Sequence, residues 1–277
     1  MKIDLHCHST FSDGSCTPLE LIQRAESLSI DALSITDHDT LRAYETPLVG
    51  PVKILPGIEL SSYLRETNVH ILAYAFLATS PVLVEFCKTM RDRRFKRAYE
   101  IADLLKKQGV DLPDIASIFE LNNTKPINRV DFGRALVKGG FVKTIQEAFK
   151  LYLGDGRSCY VDMDKFSIGE ILEVVHAAQG FAVWAHPHLI EPKSLIPEIL
   201  KFPFDGLECY YGFAPKKENE RWARIAEEKK ILATGGSDFH GDARPSVELG
   251  ASLTPEPVFR FLWEHYLRLE KPHENSN

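Results

Sequence analysis

The chain has 277 residues, 44% of them hydrophobic and 26% charged, with a formal net charge of -6. That length can bury a large core as one α/β domain or two smaller ones, and the acidic balance argues against a surface built to coat nucleic acid. No run of about eighteen apolar residues occurs and the start does not read as a signal peptide, so a cytoplasmic protein without a membrane span or a stable protein partner is expected. Five cysteines with irregular spacing and no Cys-x-x-Cys pair describe no disulfide framework.

The opening stretch, Met1 to Asp13, contains an apolar strand bearing His6, Cys7 and His8. Side chains alternate faces along a strand, so the two imidazoles point one way and Cys7 the other. Thr17, Pro18 and Glu20 then form a capping box, and Leu21, Ile22, Ala25 and Leu28 keep one apolar face at helical spacing. A strand over Ala32–Thr36 ends in Asp37-His38-Asp39. Further apolar runs are Val52–Leu55, leading through Pro56-Gly57 to Ile58-Glu59, and Val69–Tyr74, which contains His70. This part reads as parallel strand-helix-strand units.

From 81 to 160 the pattern turns helical. One long helix is predicted over Val82–Gln108, closed by Gly109, with shorter ones over Ile115–Leu121, Val130–Lys138 and Ile145–Leu153. This block is expected to be an insertion, or cap, on an α/β body formed by 1–80 and 161–270, with 271–277 as a tail. The α/β rhythm resumes with a helix capped by Ser167 and Glu170. Strands follow over Phe181–Ala185, Asp205–Tyr211 and Ile231–Thr234, separated by a charged helix over Lys216–Lys229. A last helix runs from Pro255 to Leu269.

Taken singly, each histidine reads as an ordinary core or surface residue. Taken together they do not, because His6, His8, Asp13, His38, Glu59, His186, Asp238 and His240 nearly all fall at or just past a predicted strand end. In a parallel α/β barrel those ends converge on one rim. His70 is the exception, lying early in its run. Imidazole and carboxylate donors without thiolate suit Zn, Mn or Fe, and so many donors exceed what one ion needs. Two or three divalent ions are expected, with Glu59 as the bridging carboxylate. Clustered ions of this kind activate a water to hydroxide and clamp phosphoryl oxygens.

Asp4-Leu5-His6-Cys7-His8, Thr36-Asp37-His38-Asp39, Gly57-Ile58-Glu59, Ala185-His186-Pro187 and Gly236-Ser237-Asp238-Phe239-His240 together resemble the PHP (polymerase and histidinol phosphatase) family. The resemblance runs over essentially the whole chain. It implies a distorted seven-stranded (β/α) barrel with a trinuclear site of Mn, Fe or Zn. By motif match, His6, His8, Glu59 and Asp238 would hold one ion, and Asp13, His38 and His240 a second. Glu59, His70 and His186 would hold a third.

The helical insertion and the closing Gly-Ser-Asp-Phe-His-Gly resemble the small bacterial members that act on nucleotides. The resemblance implies a phosphoesterase that removes the 3′-phosphate of nucleoside 3′,5′-bisphosphates and degrades short RNA from the 5′ end. A phosphatase of the histidinol phosphate type and a non-catalytic metal-binding module are the alternatives. Those relatives often carry Arg-Pro-His where this chain has Arg129-Val130-Asp131, so Arg129 matches and Asp131 does not. An aspartate there would repel a phosphate. The basic run Lys88–Arg97 places Arg91 near Arg94 and Arg93 near Arg97 on a helix. Arg129, Arg94 and His188 are the expected substrate contacts, arginine being suited to phosphate oxygens.

Overall fold

The structure, a computed structural model, describes residues 1–112, 115–121 and 125–271. The chain divides into two units, one formed by Met1–Phe86 with Lys165–Asn277 and the other by Cys87–Asp164.

The first unit carries eight strands: β1 (Ile3–Cys7), β2 (Ala32–Ile35), β3 (Lys53–Ile54), β4 (Gly57–Leu64), β5 (Thr67–Tyr74), β6 (Phe181–Trp184), β7 (Gly206–Tyr211) and β8 (Leu232–Gly236). They pair in the orders β1-β2-β3 and β4-β5-β6-β7-β8. The resemblance implies seven strands in one barrel; the pairing gives eight in two sheets, β3 being only two residues long. Backbone bonds stitch the sheets at two seams. His8 donates to the Phe239 carbonyl and Asp238 to the His6 carbonyl, which ties β1 to the segment after β8. At the other seam Asp39 donates to the carbonyl of Glu59, joining the segment after β2 to β4.

The parallel reading of the first part needs correcting at β4 and β5. They form an antiparallel hairpin, and β5 is antiparallel to β6 as well. The turn is only Arg65-Glu66, with Arg65 at φ 55°, which leaves no length for a crossover. The reversal accounts for His70. In a strand running backwards the early residues lie at the rim that parallel strands reach with their late ones, and His70 pairs opposite Ser61, two residues past Glu59.

Apolar residues facing inward from β1, β5 and β6 pack against Phe259 and Leu262 of the last helix, Glu256–Glu270. Cys7, on the strand face opposite His6 and His8 as its position predicts, packs into a cluster with Leu21, Ile22, Leu33 and Phe239. The capping boxes of Thr17 and Ser167 form as expected, each hydroxyl accepting from the amide of its glutamate. None of the five cysteines is in a disulfide. Rings of Phe86 and Phe166 meet at 4.9 Å where the chain leaves and re-enters this unit.

The second unit has its own core, in which Ile101 and Leu105 of the long helix Pro81–Lys107 join Phe132, Leu136 and Leu153. Arg129–Lys138 is helical, capped by Asn128. The single helix expected over Ile145–Leu153 instead widens along its length. Ile145–Ala148 is α-helical and Phe149–Leu153 is π-helical, with the Gly154 amide reaching back five residues to the Phe149 carbonyl. Of the predicted tail, 272–277 lie outside the described residues. Among those described, no helix is long and apolar enough to cross a membrane.

Candidate metal centre

Strands β1, β4 and β5 and the loops after β1, β2, β6 and β8 bring the nine predicted donors of the first unit together, with Glu59 at the centre. Glu59 Oε2 lies 3.3 Å from His6 Nε2, 3.1 Å from His8 Nε2 and 3.2 Å from His38 Nδ1. Its other oxygen lies 2.8 Å from His70 Nδ1 and 2.9 Å from His186 Nε2. Asp238 Oδ1 is 3.4 Å from His6 Nε2 and 3.3 Å from His8 Nε2. Asp13 approaches His240 Nε2 at 3.3 Å and His38 Nε2 at 3.8 Å. Glu59, His6, His8, Asp238 and His240 are buried, whereas Asp13 at 34% and His38 at 21% side-chain exposure line an opening to solvent.

Three overlapping groups each present donor atoms within 4.8 Å of one another: His6, His8, Glu59 and Asp238; His8, Asp13, His38 and His240; and His38, Glu59 and His70. The first matches the set implied by the resemblance. The second adds His8. The third has His38 where His186 was expected, although His186 still reaches Glu59.

Carboxylates outside the predicted set hold these histidines in place. Glu208, fully buried on β7, accepts from His6 Nδ1 at 2.8 Å and from the His186 amide at 2.7 Å. A carboxylate there holds a proton on His6 Nδ1 and orients the ring so that Nε2 faces Glu59. The Asp238 carbonyl can only accept, so His240 Nδ1, 2.8 Å away, carries its proton and Nε2 is free toward Asp13. Either side of His38, Asp37 accepts from Ser9 and Ser12 while Asp39 accepts from the amide and hydroxyl of Ser61. Asp4 accepts from Ser237 and Gly250 amides. Asp39, His186 and Asp238, in or beside the cluster, have positive φ.

Charge decides the protonation of this arrangement. Burial pushes the Glu59 carboxyl up, but the imidazoles of His38, His70 and His6 outweigh it and hold the group well below the usual carboxylate range. Asp238 is held low in the same way by His6 and His8. Burial lowers His8, yet hydrogen bonds to Asp238 and Glu59 carry it up to about 10. His38 goes the other way, pushed down to about 4 chiefly by burial.

Three further side chains touch the site or its edge. The Tyr211 hydroxyl donates to Asp238 Oδ2 at 3.0 Å, and the Arg244 guanidinium, 41% exposed, bonds the same oxygen. His188 sits on the short turn Pro187–Leu189 just past His186, stacked on Tyr211 and edge-on to Trp222. Glu208 was the most findable of the residues that sequence reasoning missed, because a carboxylate inside the apolar run Leu207-Glu208-Cys209 must have a buried partner.

Arg94 and Arg129 belong to the second unit. Arg129 donates to the Leu153 carbonyl and to Asp155 Oδ1 at 2.7 Å, and lies over the rings of Phe149 and Tyr160. Arg94 is half-buried on the long helix. Its neighbours Arg93 and Arg97 donate to the carbonyls of Asp164 and Val161. Asp131 is buried, completes the Asn128 capping box and pairs with Lys125 at 2.7 Å, so its charge is spent inside the fold.

A fold of this pairing, with a cluster of imidazole and carboxylate side chains that could hold metal, is shared with metal-dependent phosphoesterases. A profile of the PHP domain matches residues 4–110. The 5′-3′ exoribonuclease of Haemophilus influenzae is 31% identical over 96% of this chain and 99% of its own length. The 3′,5′-nucleoside bisphosphate phosphatase of Chromobacterium violaceum is 29% identical over 95% of each. Among solved structures, a proposed metal-dependent phosphoesterase of Bifidobacterium adolescentis superposes with a TM-score of 0.78 at 28% identity, covering 95% of this chain and 96% of that one. The chain belongs to the PHP family.

Proposed function

We propose that His6, His8, Asp13, His38, Glu59, His70, His186, Asp238 and His240 hold two or three divalent ions (Mn, Fe or Zn). On this reading the enzyme removes the 3′-phosphate of nucleoside 3′,5′-bisphosphates and also acts on short oligoribonucleotides from the 5′ end. The observation that carries the metal reading is the overlap of three donor groups within 4.8 Å, with Glu59 in two of them. Nitrogen and oxygen donors fit such ions, and two carboxylate oxygens serving five imidazoles fit a bridging role. The names of the relatives favour nucleotides as substrates. The two seams between the sheets support reading them as one distorted barrel.

Bound divalent ions would supply Lewis acidity to a phosphoryl oxygen and lower the pKa of water. The chain's own residues do the rest. Glu208 and the Asp238 carbonyl set imidazole tautomers, and buried Asp37 and Asp39 anchor the loop that carries His38. Arg244 bonds Asp238 while partly exposed, and its remaining donors suit a phosphate oxygen. His188 borders the same region, and Arg94 and Arg129 stand as proposed phosphate contacts on motif and charge.

The experiment is a phosphate-release panel of nucleoside 3′,5′-bisphosphates, mononucleotides, short oligoribonucleotides and histidinol phosphate, run with added manganese. The bisphosphates should be the best substrates. Release from histidinol phosphate alone would overturn the substrate reading, and metal binding without hydrolysis of any phosphoester would overturn catalysis.

Glu208→Gln is expected to weaken metal binding about 10–100-fold, the usual range for a partner behind a metal ligand. The amide keeps the shape but cannot accept from both His6 Nδ1 and the His186 amide. Activity should return as metal concentration is raised. A loss that excess metal does not touch would assign Glu208 to folding instead.

A further inference from the structure

We propose that the pocket walled by Leu189, Tyr211, Phe213, Pro215 and Arg221 receives the base of the nucleotide whose phosphate lies at the metal centre. This rests on the nucleotide reading above and deepens it, since the nine-residue cluster contains nothing that recognises a base.

The pocket lies wholly within the first unit and encloses about 490 Å³, within the range of small-molecule sites. Its walls are mainly apolar and aromatic. Phe213 and Leu189 are 45% and 53% exposed, so two large apolar side chains stand in water at one place. Removing a phosphate from water against such walls is costly, because nothing replaces the lost hydration. A nucleobase has the opposite character: two apolar faces to stack and a polar edge to bond. Glu218, Lys193 and Arg221 at the pocket margin offer groups to that edge.

Tyr211 links the pocket to the chemistry. Its hydroxyl bonds Asp238 at 3.0 Å, while its ring lies 5.8 Å from that of His186 and 5.7 Å from that of Phe213. One residue thus touches a proposed metal ligand and forms part of the pocket wall.

The wall is built before any ligand arrives. Asn219 bonds the Tyr211 backbone twice, accepting from its amide at 3.2 Å and donating to its carbonyl at 3.4 Å, which pins the helix Lys216–Lys229 to β7. His188, also in the pocket wall, stacks on Tyr211 and meets Trp222 edge-on. Lys193 donates to the His188 carbonyl at 2.7 Å. Little ordering is left to offset the gain from stacking.

The test compares kcat/KM for adenosine 3′,5′-bisphosphate with that for glycerol 2-phosphate, which has no base, in wild type, Phe213→Ala and Phe213→Tyr. Stacking of one base is worth about 1–3 kcal/mol, so Phe213→Ala should lower the ratio of the two roughly tenfold or more, mainly through KM for the nucleotide. Phe213→Tyr should restore most of it. Leu189→Asn serves as the second variant should alanine at 213 lower the melting temperature. An unchanged ratio in both, with wild type active on the nucleotide, overturns the pocket assignment alone. Wild type active on glycerol 2-phosphate but on no nucleotide overturns the nucleotide reading, and the pocket assignment with it.

Discussion

Glu59→Gln is expected to lower phosphate release on the order of 10³-fold while leaving the protein folded. Glutamine keeps the volume of the side chain but carries no charge, and its amide nitrogen cannot coordinate a metal or accept a proton. Both carboxylate oxygens are engaged in the wild type, one facing His6, His8 and His38, the other His70 and His186. The substitution therefore removes one donor from two of the three groups at once. Steady-state phosphate release, with metal content by elemental analysis and a melting curve as the folding control, checks this. Activity within threefold of wild type would show that Glu59 neither bridges nor holds an ion.

Chelation should take activity to background, and added divalent metal should restore it. The same ion should stabilise the fold, because it binds the native arrangement and not the unfolded chain. At a metal concentration one hundred times Kd the gain is about 2.7 kcal/mol, a rise of roughly 5–10 °C in melting temperature for a protein of this size. Protons should leave as metal enters. His8, pushed up to about 10, is protonated in the metal-free protein at pH 8 and must be neutral to coordinate. His38, pushed down to about 4, is already neutral there and releases nothing. Metal affinity should accordingly rise with pH up to about 10, and calorimetry in buffers of different ionisation heat will count the protons. Full activity in a metal-depleted sample would refute the metal requirement.

The positions of His6 and His8 were legible because strand periodicity is local: two residues apart on one strand means one face. The capping residues Thr17 and Ser167 were legible for the same reason, each acting within three residues of itself. His70 was the counterexample. Its place at the rim depends on strand direction, and direction depends on a two-residue turn that apolar patterning does not distinguish from the end of a parallel unit. Arg244 and Tyr211 were invisible for a further reason, since both act through Asp238 from separate loops and strands. Asp131 was misleading in the other direction. Against relatives it reads as a charge in a phosphate site, whereas locally it is the third residue of a capping box, neutralised by Lys125.

The paired rings of Phe86 and Phe166 bear on how the two units became one chain. The exit and return points of the first unit already touch, so a connection of any length can be spliced there without stretching the framework. Loop closure grows only with the logarithm of length. Replacing a ten-residue connection by the stretch Cys87–Asp164 is about three doublings, or roughly 2 kcal/mol, and the inserted segment's own core offsets it. The splice point is therefore a place where sequence can be exchanged wholesale while the nine donors stay where they are.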